Sequence, residues 1–211
     1  MLASVFLIQV LIQAVAPSNF YWNFAGDTIG GLPKGWETRG NSRRAVYRIQ
    51  EEPDGNRYLA AQSSGDDVQL GIPIDVRTEQ FPILSWRWRV SVLPRGADER
   101  KSKTLDSAAA VYAVFGSQLL PRILKYVWST SAPAGSSFPH PNSGRMEIVV
   151  ISSGSEALGQ WQSVSRDLAA DYEKVFRSRP PKLIAIGVKT DSDSTRTEAK
   201  ADYDDIQLAR R

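Results

Sequence analysis

Between residues 82 and 92 the chain alternates strictly. Leu84, Trp86, Trp88, Val90 and Val92 fall on one side, and Ser85, Arg87, Arg89 and Ser91 on the other. Period-two alternation of aromatic and β-branched residues with polar ones predicts a half-buried strand. A charged segment follows, and then 108–115, a run that is apolar on both sides and predicts a central strand.

Carried along the chain, this reading predicts about eleven short strands. Phe20, Trp22 and Phe24 alternate in the first; 45–50 and 57–62 form a hairpin around Pro53-Asp54-Gly55-Asn56; 68–74 alternates again. Strands at 123–129 and 145–151 flank a segment that holds three prolines and His140. Further strands fall at 160–166, 182–190 and 200–208. Only Leu168, Tyr172, Val175 and Phe176 recur at helical spacing, with Asp167 as N-cap and Pro180-Pro181 as stop. Short strands with turn signals every 8–12 residues predict an all-β fold, an antiparallel β-sandwich of jelly-roll type. It would be galactose-binding or lectin-like in architecture, with one short helix over an end of the sheets. No helices alternate with strands, which excludes parallel α/β.

Composition narrows the function classes. A chain of 211 residues can bury a core without covalent staples. The net charge is +3, and acidic residues sit among the basic ones throughout, which argues against a nucleic-acid face. The absence of cysteine removes disulfides, zinc thiolates and thiol catalysis, and a single histidine removes His-rich metal sites. The first sixteen residues are uncharged and mostly apolar. They fall short of the roughly 20 needed for a span, and Ala14-Val15-Ala16 fits the small-x-small rule of a cleavage site. No Lys or Arg precedes the run, and Pro17 disfavours a cut after Ala16, whereas a cut after Ser18 places Ala16 three residues back. Residues 1–18 are therefore expected to be a signal peptide and 19–211 a single exported domain, periplasmic or secreted. Membrane contact is expected only if that segment stays uncleaved.

Several groups offer chemistry. Arg87 and Arg89 project side by side at about 7 Å and suit a carboxylate or sugar hydroxyls, or else pair with acids on a neighbouring strand. Asp98 and Glu99 lie in the following loop beside Arg100 and Lys101, placed to grip a polar ligand or to neutralise one another. Tyr126 and Trp128 share a strand face, as a stacking platform for sugar rings or as core. Asp191 and Asp193 open a loop that lacks the glycine and glutamate of the helix-loop-helix calcium motif. With Asp204 and Asp205 they would hold a structural calcium, the one cofactor in view; the plainer reading is a hairpin turn. Catalysis has little support: there is no G-x-S-x-G elbow, His140 sits between prolines, and Asp202 with Asp204 is the one acid pair on a strand face.

The segments SWRWRV (85–90), GADERKSKTLDSAAAVYAVF (96–115), LKYVWS (124–129), LGQWQSVSRDLAADYEKVF (158–176) and IGVKTDSDSTRTEAKADYDDIQL (186–208) resemble the bacterial family known as domain of unknown function 3047. The resemblance implies an exported β-rich protein without an established activity. The chain departs from it where relatives carry paired aspartates, here Leu105-Asp106-Ser107, and where they carry an arginine, here Ala110. A looser likeness to carbohydrate-binding jelly rolls rests on Pro33-Lys34-Gly35-Trp36 and on the closing Tyr203-Asp204-Asp205-Ile206. Together these readings point to a non-catalytic module that binds a carbohydrate or another polar envelope component through Arg87, Arg89, Asp98, Glu99, Tyr126 and Trp128. A carboxylate-dependent glycan hydrolase or lyase, and a purely structural envelope protein, are the alternatives.

Overall fold

The computed structural model describes residues 19–41 and 46–211. The expected signal segment 1–18 and the start of the 45–50 strand lie outside the described residues. Thirteen strands are described: β1 (Asn19–Trp22), β2 (Glu37–Asn41), β3 (Tyr47–Glu51), β4 (Arg57–Ser64), β5 (Asp67–Val76), β6 (Ile83–Val92), β7 (Ala109–Phe115), β8 (Arg122–Ser129), β9 (Ser137–Pro139), β10 (Met146–Ser153), β11 (Gln162–Asp167), β12 (Leu183–Lys189) and β13 (Glu198–Ala209). A 3₁₀ turn (Ser102–Thr104) and one helix, α1 (Leu168–Phe176), complete the elements.

The strands form two sheets. The first runs β11-β6-β13-β4-β3, with β1 added along the C-terminal half of β13; the second runs β2-β5-β12-β7-β8-β10-β9. The result is a jelly-roll β-sandwich with one short helix, as the strand pattern predicts. One pairing departs from antiparallel: β10 lies parallel to β8. A parallel neighbour requires a crossover. The proline-containing segment 130–145 supplies it, and its own short strand β9 pairs with β10 at the sheet edge.

The alternation of β6 works as read. Leu84, Trp86, Trp88 and Val90 point inward and are at most 1% exposed. From the second sheet Leu124, Tyr126 and Trp128 meet them. Trp86 lies 5.5 Å from Tyr126, and Trp88 lies 6.1 Å from Trp128, ring centre to ring centre. The 108–115 run is apolar on both sides because both faces of β7 are covered. Val111, Ala113 and Phe115 enter this main core, whereas Ala110 and Tyr112 enter a second cluster with Val127, Ile148 and Val150 on the outer face.

Helix α1 closes one end of the sandwich. Asp167 Oδ1 accepts hydrogen bonds from the Ala169 and Ala170 amides at 3.1 and 3.0 Å, as an N-cap does. The helix stops at Arg177, which adopts a left-handed conformation (φ 54°) and returns its amide to Glu173 O at 3.0 Å. The prolines at 180 and 181 therefore follow the stop rather than cause it. The Trp88→Ala variant should lose about 3–5 kcal/mol, the cost of emptying a fully buried indole site. Urea unfolding measures this, with the midpoint falling and the slope unchanged.

Candidate functional site

The outer face of the first sheet carries the two arginines of the alternating strand, but both are already engaged. Arg87 reaches Asp204 at 2.6 Å and Asp205 at 2.7 Å; Arg89 reaches Asp202 and Glu52, each at 2.8 Å. The Trp161 ring covers both guanidinium groups, 5.1 Å from Arg87 and 4.6 Å from Arg89, and Tyr58 flanks Arg89 at 5.2 Å. Burial pushes the Asp202 and Asp204 carboxyls up, and their arginines pull against it. The Tyr21 hydroxyl donates to Asp205, which lifts its own pKa to about 12. Two carboxylates and an aromatic face engage each guanidinium, and both side chains remain partly exposed. Of the two readings of Arg87 and Arg89, the structure shows the pairing with acids of a neighbouring strand, which also engages the acid pair Asp202/Asp204.

The stacking expectation for Tyr126 and Trp128 is corrected. They are at most 1% exposed and face the inner core, so no sugar ring can stack on them. Their polar atoms are used internally, Tyr126 Oη on Asp171 at 2.9 Å and Trp128 Nε1 on Gly154 O at 3.1 Å.

Asp98 and Glu99 point to different environments. Asp98 accepts two hydrogen bonds from the Arg100 guanidinium, at 2.7 and 3.0 Å, and pairs with Lys101 at 3.0 Å. The Arg100 contacts hold its carboxyl well below the usual carboxylate range. It serves its own loop rather than a ligand. Glu99 is wholly buried; its Oε2 accepts from Ser129 Oγ at 2.5 Å, and its Oε1 makes no hydrogen bond. Burial pushes this carboxyl up.

Glu99 belongs to a polar cluster on the outer face of the second sheet. Register across the seven strands of that sheet places Glu37, Gly71, Gly187, Tyr112, Lys125, Ile148 and Phe138 in one row. The next row contains Arg39, Gln69, Lys189, Ala110 and Val127. Lys189 bridges Asp67 at 2.6 Å and Asp191 at 2.8 Å. Asp191 also accepts the Ser107 amide at 2.9 Å. Burial opposes its ionisation, but the ammonium groups of Lys125 and Lys189 overcome this and hold its carboxyl below the usual range. Lys125 is 2% exposed, and its ammonium lies 5.7 Å from the Tyr112 ring centre. Burial disfavours its charge, and Asp191 and Glu99 nearby restore it. Ser107 Oγ, beside Glu99, is buried without a hydrogen bond. Ala110, where the family resemblance implied an arginine, stands next to Lys189 in the middle of this face.

Beside the cluster the same face opens into a groove of about 360 Å³. Its floor is backbone, because Gly71 and Gly187 pair directly across β5 and β12. A Cβ on Gly187 would lie 2.9 Å from Gln69 Nε2 and 3.2 Å from Leu70 O, so the Gln69 amide rests against the sheet at this position. Arg39, Gln69, Glu37 and Gln118 supply polar walls, and Val114 and Ile123 an apolar side.

The four acids of the expected calcium set do not come together. Asp204 and Asp205 are on the first sheet, held by Arg87. Asp191 and Asp193 instead meet Asp106, with carboxylate oxygens within 4.8 Å of one another. Asp106 already accepts from the Ser194 amide at 3.1 Å and from the Thr195 amide and hydroxyl at 2.7 and 2.6 Å, so it caps the loop. His140 is half-buried near this face, and its Nδ1 accepts the Asn142 amide at 3.2 Å. Burial, with Lys125 and Lys189, keeps its pKa below the ordinary value. The residues that sequence reasoning passed over, Lys125 and Lys189, did leave a signal: each is a charge inside an otherwise apolar strand.

Residues 34–207 match the family described as "Protein of unknown function (DUF3047)". No curated protein matches the chain. Among solved structures, the K1 cleaved adhesin domain of Lys-gingipain from Porphyromonas gingivalis W83 is 13% identical, with 92% of this chain and 99% of that one covered and a TM-score of 0.45. A carbohydrate-binding module described for specific mannan recognition is 15% identical, with 91% and 96% covered and a TM-score of 0.41. The xyloglucanase domain of NopAA, a type three effector from Sinorhizobium fredii, is 8% identical, with 86% and 96% covered and a TM-score of 0.48.

Adjacent carboxylates with opposite shifts give opposite pH dependences. Asp98 ionises more readily when folded, so its contribution to stability is present above the unfolded carboxylate pKa and is lost as pH falls. Glu99 ionises less readily when folded, so its contribution is full below the unfolded pKa and is lost as pH rises through the folded value. Asp98→Asn should therefore destabilise the protein more at pH 7 than at pH 3. Glu99→Gln should gain stability relative to the parent as pH rises from 4 to 8. Denaturant titrations across that range check both, and parallel pH profiles for the two variants would contradict the assignment.

Proposed function

We propose, for a chain that belongs to the family described as "Protein of unknown function (DUF3047)", that it is a binding module holding a polar carbohydrate in the groove across its second sheet. The observation that carries this reading is the groove itself, a backbone floor at Gly71 and Gly187 bordered by Arg39, Gln69 and Glu37. A sugar ring presents hydroxyls at its edge and C–H surface on its faces. The groove answers with amide, guanidinium and carboxylate groups at its walls and with Val114 and Ile123 at its side. Glycines in the floor let a ring lie close to the sheet, where a side chain would lift it away.

Binding is favoured over hydrolysis by the acid content of the groove. Cleavage of a glycosidic bond uses two carboxyl groups that flank it. Glu37 is the one carboxylate among the described residues lining the groove. We place the protein in the cell envelope, periplasmic or secreted, on the apolar sequence of residues 1–16.

A glycan array with the purified chain tests the proposal. Arg39→Ala and Gln69→Ala should each weaken binding by about tenfold, the worth of one or two hydrogen bonds to a ligand. Arg87→Ala should leave binding intact and lower the melting temperature, since it breaks the lattice on the other sheet. Failure of the parent protein to bind any glycan would remove the proposal. Loss of binding in Arg87→Ala with retention in Arg39→Ala would move the site to the first sheet. Release of new reducing ends from a bound glycan would favour the hydrolase or lyase reading.

A further inference from the structure

The hairpin between β7 and β8 ends in an apolar tip. Leu119 is 91% exposed and Leu120 is 64% exposed, the two highest values for large apolar side chains among the described residues. Such side chains are ordinarily withdrawn from water, and here they sit next to each other at the end of a hairpin. The loop is nonetheless well held. Gly116 turns the chain at φ 93°, and its amide donates to Lys182 O at 2.8 Å. Arg145 donates to Leu120 O at 3.0 Å and to Pro121 O at 3.2 Å. Two carbonyls of the tip are thus satisfied from within the protein, as a low-dielectric surrounding would demand.

The base of the hairpin is ringed by cations. Arg122 donates to Ser178 Oγ at 3.0 Å, which ties the hairpin to the segment after α1. That segment contributes Arg177, Arg179 and Lys182, α1 adds Lys174, and Arg145 comes from the other side. The acids nearby are Asp75, paired with Lys182 at 3.0 Å, Glu173, and Glu37 in the groove that Gln118 and Pro121 also line. The cations outnumber them. Lys174 and Arg179 are exposed.

We propose that this hairpin tip docks the protein on an anionic lipid bilayer, with Leu119 and Leu120 entering the boundary between headgroups and acyl chains and the basic collar meeting the lipid charge. A short apolar wedge behind a cationic ring is the pattern of interfacial membrane contact. A protein partner fits less well, because two leucines on a convex tip offer far less area than a specific protein interface buries. The point where the chain enters the described structure agrees with this choice. Asn19 pairs with Ala209, which pairs with Ile83 beside Asp167, the N-cap of α1. Asn19 therefore lies at the end of the domain capped by α1, whose C-terminal extension flanks the tip.

Vesicle flotation of the full chain tests this, with phosphatidylcholine vesicles and with vesicles enriched in phosphatidylglycerol. The parent should float with the anionic vesicles and much less with the uncharged ones. The Leu119→Ser/Leu120→Ser double variant should lose roughly tenfold or more in apparent affinity, since burying a leucine is worth at least that factor. The Lys174→Glu/Arg179→Glu variant should weaken binding to anionic vesicles and make what remains less sensitive to salt. All four positions are exposed, so unchanged melting temperatures confirm that the variants are folded. The proposal is overturned if the leucine variant floats like the parent, if uncharged vesicles are bound equally well, or if the parent does not float.

Discussion

The whole sandwich depends on one contact, the aromatic stack between its sheets. Trp86 and Trp88 project from β6 toward Tyr126 and Trp128 on β8, and the four rings set the spacing of the layers. Large rings in a dry interior leave little latitude, because interiors pack as densely as organic crystals. Once these side chains face inward, their neighbours in sequence must face outward. Arg87 and Arg89 are therefore carried to one outer face, and Lys125 to the other. The packing decides where polar chemistry can occur before any ligand is considered.

The two outer faces resolve their charges differently. On the first sheet Arg87 and Arg89 are each matched by two carboxylates. On the second, Glu99 Oε1 and Ser107 Oγ lie under cover without hydrogen-bond partners among the described residues, and Lys125 is buried against the Tyr112 ring. Buried polar groups left in that condition cost stability unless water or a ligand completes them. This difference is what turns attention from the face with the most conspicuous arginines to the face with the quieter lysines.

Much of the fold was legible in the sequence, because alternation and capping are local. The strand at 83–92 and the helix after Asp167 follow from period and cap alone. The parallel pairing of β10 with β8 was not legible, since adjacent strands give no local sign of a crossover. Sheet membership was equally hidden. Asp191 and Asp204 are close in sequence, yet β13 carries the chain to the opposite sheet between them, so they cannot share an ion. For Tyr126 and Trp128 the alternation showed that they share a face but not which face, and only the partner strands decide that. Lys125 and Lys189 looked like interruptions of apolar strands, and their meaning required the neighbours that registration brings.

The pairing of Arg87 with both Asp204 and Asp205 has a consequence for the chain's tolerance of length change. Successive residues in a strand normally point to opposite sides, but here Asp204 faces Arg87 while Gln207 faces Ser85, so β13 holds one residue more than β6 over that interval. Asp205, at φ 48°, is the extra residue. It switches the inward set of β13 from Ala201 and Tyr203 to Ile206 and Leu208, all at most 1% exposed. The two halves of the strand are thus out of phase by design of the backbone. If Asp205 were accommodated in a regular strand instead of a bulge, simple alternation would turn Ile206 and Leu208 out into water. Loss of Asp205 would leave both residues in phase and remove its ion pair with Arg87, whereas one further residue placed in regular strand after it would turn them out.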